Sequence, residues 1–114
     1  MLIHRNALIL EQREKMRGGE GTAKVTHFAP YETLRKGIKL FAEITLPPGA
    51  SVGRHKHETD IEYVTVVSGS GTLKENGKEY PLKVGDSNIA GNGSEHEIIN
   101  SGARNLVVHS LVME

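Results

Sequence analysis

Three of the six histidines stand in a pattern that could hold a metal ion. His55 and His57 flank Lys56, and side chains two apart on a β-strand point to the same face of a sheet. Glu62 follows soon after, so a short loop could bring its carboxylate back beside the two imidazoles. His96 lies much further along the chain, just before an apolar pair. Three imidazoles and one carboxylate that converge would hold a divalent first-row metal ion and leave coordination positions open.

The segments that must position these side chains have the pattern of β-strands. Residues 38–46 alternate apolar and polar side chains, which predicts a strand with one buried face. Asn76-Gly77 predicts a hairpin with a type I′ turn between residues 72–75 and 78–82, and Pro81 favours an edge strand. Further strands are predicted over residues 62–67, 87–90, 95–99 and 105–112.

Helical signals are confined to two short segments. Residues 11–17 end at Gly18, and residues 31–36 end at Gly37, so each is predicted as a helix of no more than two turns. The sequence as a whole therefore predicts an all-β protein with many short elements.

Composition excludes several classes of function. The 114 residues are the size of one domain, and 14 Lys and Arg balance 14 Asp and Glu, so no net charge draws the chain to nucleic acid. Aromatic residues are only 4%, which removes most of the stacking surfaces that single-strand binders use. There is no Cys, so any metal must be held by His and carboxylate side chains.

The first residues give no targeting signal. The apolar run over residues 7–10 is too short for a signal peptide or a membrane span. We therefore expect a cytoplasmic protein with neither nucleic acid nor membrane as a partner.

The spacing of the candidate ligands resembles that of the cupin superfamily. Its first motif, Gly, five residues, His-x-His, three or four residues, Glu, six residues, Gly, is filled at every position by Gly49, His55, His57, Glu62 and Gly69. Its second motif is matched by Gly85, Gly93, His96 and Asn100, with Gly91 where the family has proline. Asn100 is interpreted as a turn-stabilising side chain rather than a ligand.

The resemblance implies a fold and a domain organisation. A single cupin domain would span residues 1–114 as an all-β double-stranded β-helix, a jelly-roll-like barrel. Residues 1–37 would form an N-terminal arm and strands, and residues 38–112 the barrel, with motif one at 49–69 and motif two at 85–100.

The resemblance also implies the cofactor. One divalent transition metal per chain, which could be Mn, Fe, Ni, Co or Zn, would be bound by His55, His57, Glu62 and His96. Val64 and Val66 share a strand face with Glu62 and are predicted to line a substrate pocket, as are Thr59 and Asp60 in the loop after the histidine pair.

Three functions remain open from the sequence. The first is a small metalloenzyme that would act on a small oxygen-bearing substrate, for which the resemblance implies the dioxygenase, oxalate-type decarboxylase or sugar isomerase class. The second is a non-catalytic cupin that binds or senses a small molecule. The third, a metal-free sugar epimerase, ranks last because it needs His/Asp pairs and only Asp60 and Asp86 are available. A homodimer is expected because residues 7–10 are apolar outside the barrel, and the resemblance implies the same.

Overall fold

The computed structural model describes residues 1–114, and ten β-strands account for most of the chain. In chain order the strands are β1 (Ile9–Glu14), β2 (Thr22–His27), β3 (Ile38–Leu46), β4 (Ser51–His57), β5 (Ile61–Ser68), β6 (Gly71–Glu75), β7 (Lys78–Leu82), β8 (Ser87–Ala90), β9 (Ser94–Ile99) and β10 (Leu106–Met113). The only helical segments are three 3₁₀ turns, at Arg5–Ala7, Met16–Gly18 and Tyr31–Thr33.

The strands form two antiparallel sheets that pack face to face. The six-stranded sheet has the order β1-β2-β3-β10-β5-β8, and the four-stranded sheet has the order β4-β9-β6-β7. Strands distant in sequence are therefore neighbours in space, as β3 and β10 are along their whole length. This arrangement is an all-β double-stranded β-helix, the fold that the resemblance implies.

The hydrophobic core lies between the sheets because each strand turns alternate side chains inward. Along β10, Leu106, Val108 and Val112 are buried while their neighbours are half-buried, and β3 and β5 follow the same alternation. The four-stranded sheet contributes inward residues such as Leu73 and Ile98. The alternation of apolar and polar residues in the sequence thus reflects the one buried face of each strand.

The strand predictions are confirmed, including the details of the hairpin. Asn76 and Gly77 have φ angles of 49° and 83°, the positive values that a type I′ turn requires. Pro81 lies on β7, which is an edge strand of its sheet.

Both helix predictions are wrong. Residues 9–14 pair with β2 as β1, and the chain then turns at Lys15 into the short 3₁₀ turn Met16–Gly18. Residues 31–36 form only the single 3₁₀ turn Tyr31–Thr33. An isolated helix of two turns is barely stable, so pairing in a sheet easily overrides its weak propensity. No helix in the chain is long and apolar enough to cross a membrane.

The homodimer expectation stays a prediction, for which the edge of the six-stranded sheet offers a surface. β1 is an edge strand, so one side of its backbone has no partner strand, and Ile9 and Leu10 are more than half exposed. We expect sedimentation velocity at micromolar concentration to give twice the monomer mass of 12.4 kDa. Replacing Ile9 and Leu10 together by Lys should shift the protein toward monomer, whereas a wild-type monomer would contradict the expectation.

Candidate metal centre

Four donor atoms meet between the two sheets. His55 and His57 come from β4, His96 from β9, and Glu62 reaches them from β5 in the opposite sheet. The Oε1 atom of Glu62 lies 2.8 Å from Nε2 of His96, 3.1 Å from Nε2 of His57 and 3.4 Å from Nε2 of His55. His57, Glu62 and His96 are buried, and His55 is half-buried. The four predicted ligands thus form one cluster.

A β-bulge in β4 makes this convergence possible. Val52 pairs with Ile98, but His55 pairs with His96. Between these two pairs β4 therefore contains one residue more than β9. Without the extra residue, inward-facing Val52 would be followed by an inward Arg54, and both histidines would point away from the core. Gly53 lies within the bulge, which puts His55 directly opposite His96.

Each imidazole is held by a hydrogen bond from its outer nitrogen. The Nδ1–H group donates in every case to an oxygen 2.7 Å away, which belongs to the carbonyl of Gly53 for His55, the carboxylate of Asp60 for His57 and the side-chain amide of Asn88 for His96. Since these oxygens can only accept, the hydrogen of each neutral ring must lie on Nδ1. Every Nε2 atom therefore presents a lone pair to the cluster.

The orientation of the Asn88 amide is fixed by a further contact. Its nitrogen donates to the carboxylate of Glu75 at 2.6 Å, and a carboxylate cannot donate in return. The amide oxygen must then face His96. A chain of contacts from Glu75 through Asn88 thus sets the tautomer of a buried histidine.

The donor set fits a divalent transition metal. Nε2 of His96 lies 3.0 Å from Nε2 of His55 and 3.1 Å from Nε2 of His57, yet two lone pairs cannot form a hydrogen bond. Metal–nitrogen bonds of about 2.1 Å set at right angles put the two ligand atoms about 3.0 Å apart. The observed spacing therefore matches adjacent ligands on one ion, and imidazole with carboxylate suits the first-row metals.

The carboxylate of Glu62 remains ionised in this setting. Burial by itself raises its pKa, but the three histidines, which donate to the carboxylate when they are protonated, and the hydrogen bond from Ser110 outweigh burial and hold the pKa far below its usual value. Ser110 donates to Oε2, which leaves Oε1 facing the imidazoles. Glu62 thus supplies a negative charge to the cluster throughout the physiological pH range.

The carboxylate of Glu62 also shifts the pKa of His57. The hydrogen bond with Glu62 raises the pKa of His57, and although burial opposes this shift, Asp60 adds to it. A proton therefore competes with a cation for this nitrogen at a higher pH than for an ordinary histidine.

A cavity of about 500 Å³ opens onto the cluster. Its apolar lining comes from Met16, Leu40, Val52 and Val112, and its basic lining from Arg13, Arg17, Lys39 and Lys56. His55, His57 and Glu62 also line it, so a small molecule in the cavity could reach an ion bound between them.

The predicted pocket residues divide into two groups. Thr59 and Asp60 line the cavity, although Asp60 already bonds both His57 and Lys39. Val64 and Val66 share the inward face with Glu62, as expected, but lie in the hydrophobic core and do not line the cavity. They are further along β5, where the interior is filled by side chains from both sheets.

Two residues that support the ligands, Ser110 and Asn88, are not among those that the sequence predicts. Ser110 had a usable signal, because it is the one polar residue in the inward row of β10 between Val108 and Val112. Asn88 had a weaker signal, since β8 has only four residues and its inward-facing positions cannot be recognised from the sequence.

The second motif is held by its own turn contacts. Asn100 donates to the carbonyls of Leu46 and Arg104, which confirms its role in stabilising turns. The Gly91 N–H donates to the hydroxyl of Ser94, and the hydroxyl donates back to the Gly91 carbonyl. Proline, usual at this position in the family, has no N–H to make the first of these bonds. The turn before His96 is thus fixed by hydrogen bonds instead of by a ring.

Fold and site together define a small β-barrel protein with a buried centre of three histidines and one glutamate. Residues 42–112 match the cupin domain family, and the chain belongs to that family. It is 37% identical over 106 residues to an oxalate-binding protein of Thermotoga maritima, across 93% of this chain and 88% of the relative.

Further relatives agree with this assignment. A Thermotoga maritima crystal structure described as a predicted oxalate decarboxylase has a TM-score of 0.92 and 34% identity, across 99% of this chain and 98% of the other. The beta-alanine degradation protein BauB of Pseudomonas aeruginosa is 36% identical over 70 residues, which are 60% of this chain and 74% of that protein.

The raised pKa of His57 gives a pH dependence of metal affinity. Below this pKa the imidazolium excludes a cation, so affinity should fall as the pH drops, beginning above the ordinary histidine value of 6.5. The slope should approach tenfold per pH unit for each proton displaced. Competition with a chelator between about pH 5 and pH 8 would measure it. A constant affinity across this range would contradict the assignment of the ligands.

The Asn88 contact makes a separate prediction. Asn88→Ala removes the acceptor that holds the Nδ1–H of His96, so metal affinity should fall about 10- to 100-fold while the barrel stays folded. Chelator competition would measure the metal affinity, and circular dichroism would test whether the barrel stays folded. Asn105→Ala, at an exposed loop position, is the matched control and should leave affinity unchanged.

Proposed function

We propose that this cupin binds one divalent first-row transition metal through His55, His57, Glu62 and His96, and that the metal in turn binds a small carboxylate of the oxalate class. The observation that carries the proposal is the meeting of three Nε2 lone pairs and one carboxylate oxygen at 2.8–3.4 Å. When bound, the ion supplies a Lewis acid that polarises a ligand oxygen.

The relatives support the ligand class. A protein that shares 37% of its residues over nearly the whole chain is named for binding oxalate. A structure that superimposes with a TM-score of 0.92 is described as a predicted oxalate decarboxylase. Both matches extend over almost the whole of this chain.

The cavity suits a small anion. A volume of about 500 Å³ lies in the range of ordinary ligand sites, and four basic side chains line it. Apart from the metal ligand Glu62, its carboxylates are only Glu58 and Asp60. With a divalent ion present, the field in the cavity favours negative charge.

The chain's own residues orient the site. Gly53, Asp60 and Asn88 hold the three imidazoles through Nδ1, and Ser110 holds the far oxygen of Glu62. The apolar lining from residues such as Met16 and Val52 limits water around a bound ligand.

Binding without turnover is favoured over decarboxylation by the state of the two remaining carboxylates. Decarboxylation leaves a carbanion that a nearby acid must protonate. Asp60 is engaged by His57 and Lys39, and Glu58 lies close to Lys56 with 69% of its side chain exposed. Decarboxylation is the second candidate function, which the description of the Thermotoga structure supports.

The first part of the test is metal content. Protein purified without added metal, and then incubated with Mn, Fe, Ni, Co or Zn, should hold about one ion per chain by elemental analysis. His57→Ala should lose most of it while staying folded, because the core is aliphatic. His4→Ala, at an exposed histidine outside the cluster, should retain it. Full occupancy in His57→Ala would refute the proposed ligands.

The second part is ligand binding. Titration calorimetry with oxalate should detect binding to the metal-loaded protein and none to the metal-stripped protein. Formate and CO₂ should stay at background when the loaded protein is incubated with oxalate. Metal-independent binding would refute the proposal, and steady product formation would replace binding with decarboxylation as the function.

A further inference from the structure

Arg17, in the segment between β1 and β2, lines the cavity beside the metal cluster. We infer that Arg17 is the specificity-determining residue of the cavity, and that its guanidinium binds the second carboxylate of a metal-bound dicarboxylate. This inference rests on the proposed function and goes further by naming the residue that selects a dicarboxylate over a monocarboxylate.

Arg17 is anchored against the strand that carries two of the metal ligands. Glu20 and Ser51 exchange two hydrogen bonds, one from the Glu20 N–H to the Ser51 hydroxyl and one from the Ser51 N–H to the Glu20 carbonyl. The backbones also touch, since a Cβ on Gly53 would lie 2.3 Å from the Arg17 carbonyl oxygen. Buried Met16 holds the other side of the segment in the core.

The same contacts connect Arg17 to the metal cluster. Gly53, which the Arg17 backbone touches, is the residue whose carbonyl accepts the Nδ1–H of His55. A Cβ on Gly19 would lie 2.2 Å from the Ser51 carbonyl oxygen, so the backbone around Gly19 packs directly against the backbone of β4. The position of the Arg17 backbone relative to the cluster is therefore fixed by main-chain packing.

The backbone of Arg17 is strained. Its φ and ψ angles are 55° and 30°, in the left-handed region that favours glycine. The next two residues, Gly18 and Gly19, show that the chain uses glycine freely in this turn. Lys15 in the same turn is also left-handed, with a φ angle of 49°, but only Arg17 of the two lines the cavity, which indicates that its side chain has a use at this position.

Arg17 is also the only basic residue of the cavity without a carboxylate partner. Arg13 is paired with Glu11, Lys39 with Asp60, and Lys56 lies 3.7 Å from Glu58. Each of these three cations already has a counter-ion within the protein. The unpaired guanidinium of Arg17 is left to neutralise a ligand that enters the cavity.

The chemistry of the ligand follows from the two charged partners. An ion held in the cluster would bind one carboxylate of a small dicarboxylate, and the two oxygens of the second carboxylate would match the planar fork of a guanidinium. A monocarboxylate has no second carboxylate for the guanidinium to bind. Arg17 should therefore contribute to binding of the dianion and little to binding of the monoanion.

The test compares two ligands on the metal-loaded protein, with oxalate as the dicarboxylate and glycolate as the monocarboxylate. Arg17→Gly should weaken oxalate binding about 10- to 100-fold by calorimetry and change glycolate binding by no more than about twofold. Metal content should be unchanged. The thermal midpoint of unfolding should rise, because glycine relieves the left-handed strain.

Two further variants complete the comparison. Arg17→Lys should recover only part of the oxalate affinity, since an ammonium group lacks the fork. Arg54→Ala removes an arginine that lies outside the cavity on β4, and should bind both ligands as the wild type does.

The outcomes separate this inference from the proposed function. If the loaded wild type binds oxalate but Arg17→Gly binds it equally well, the role of Arg17 is refuted and the metal function stands. Equal losses for oxalate and glycolate, or loss of metal from the variant, would also refute selection by Arg17. If the loaded wild type binds no oxalate, the proposed function fails and the inference fails with it.

Discussion

Mutual repulsion among four lone-pair atoms is the constraint on which the interior of this barrel depends. The Oε1 atom of Glu62 lies 2.8–3.4 Å from three imidazole nitrogens, and Nε2 of His96 lies 3.0–3.1 Å from the other two nitrogens, while no hydrogen is available to bridge neutral rings that donate through Nδ1. Only a cation or a shared proton relieves this repulsion. The surrounding contacts keep the donors in place, because each ring has its own acceptor and the carboxylate has its own donor.

These supporting contacts come from all parts of the chain. Asp60 lies in the loop after β4, Asn88 lies on β8, and Ser110 lies on β10 at the centre of the six-stranded sheet. Packing two sheets with interleaved strands brings such distant residues together at one point. The fold thus places the site by its topology, and side-chain hydrogen bonds then set its chemistry.

The ligands could be predicted from the sequence because their signal is local and periodic. His55 and His57 share a face by their spacing alone, and the glycines of the motifs mark the turns around them. The bulge that makes this face the inward one gives no such signal, since a single extra residue is visible only against the register of β9. Val64 and Val66 show the same limit, because strand alternation places a residue inside the barrel without saying how close it lies to the cavity. The positions of the N-terminal strands are not predictable for a related reason, as β1 is defined by its partner β2 more than by its own pattern.

The division of the ligands between the two sheets has a consequence for folding. The three histidines belong to one sheet and Glu62 to the other, so an ion in this site would join the two layers as a cross-link does. Such a cross-link stabilises the native state only, and by mass action its contribution grows with the free concentration of metal. Resistance of the barrel to heat and proteases would then report the metal supply around it, even when no ligand is present.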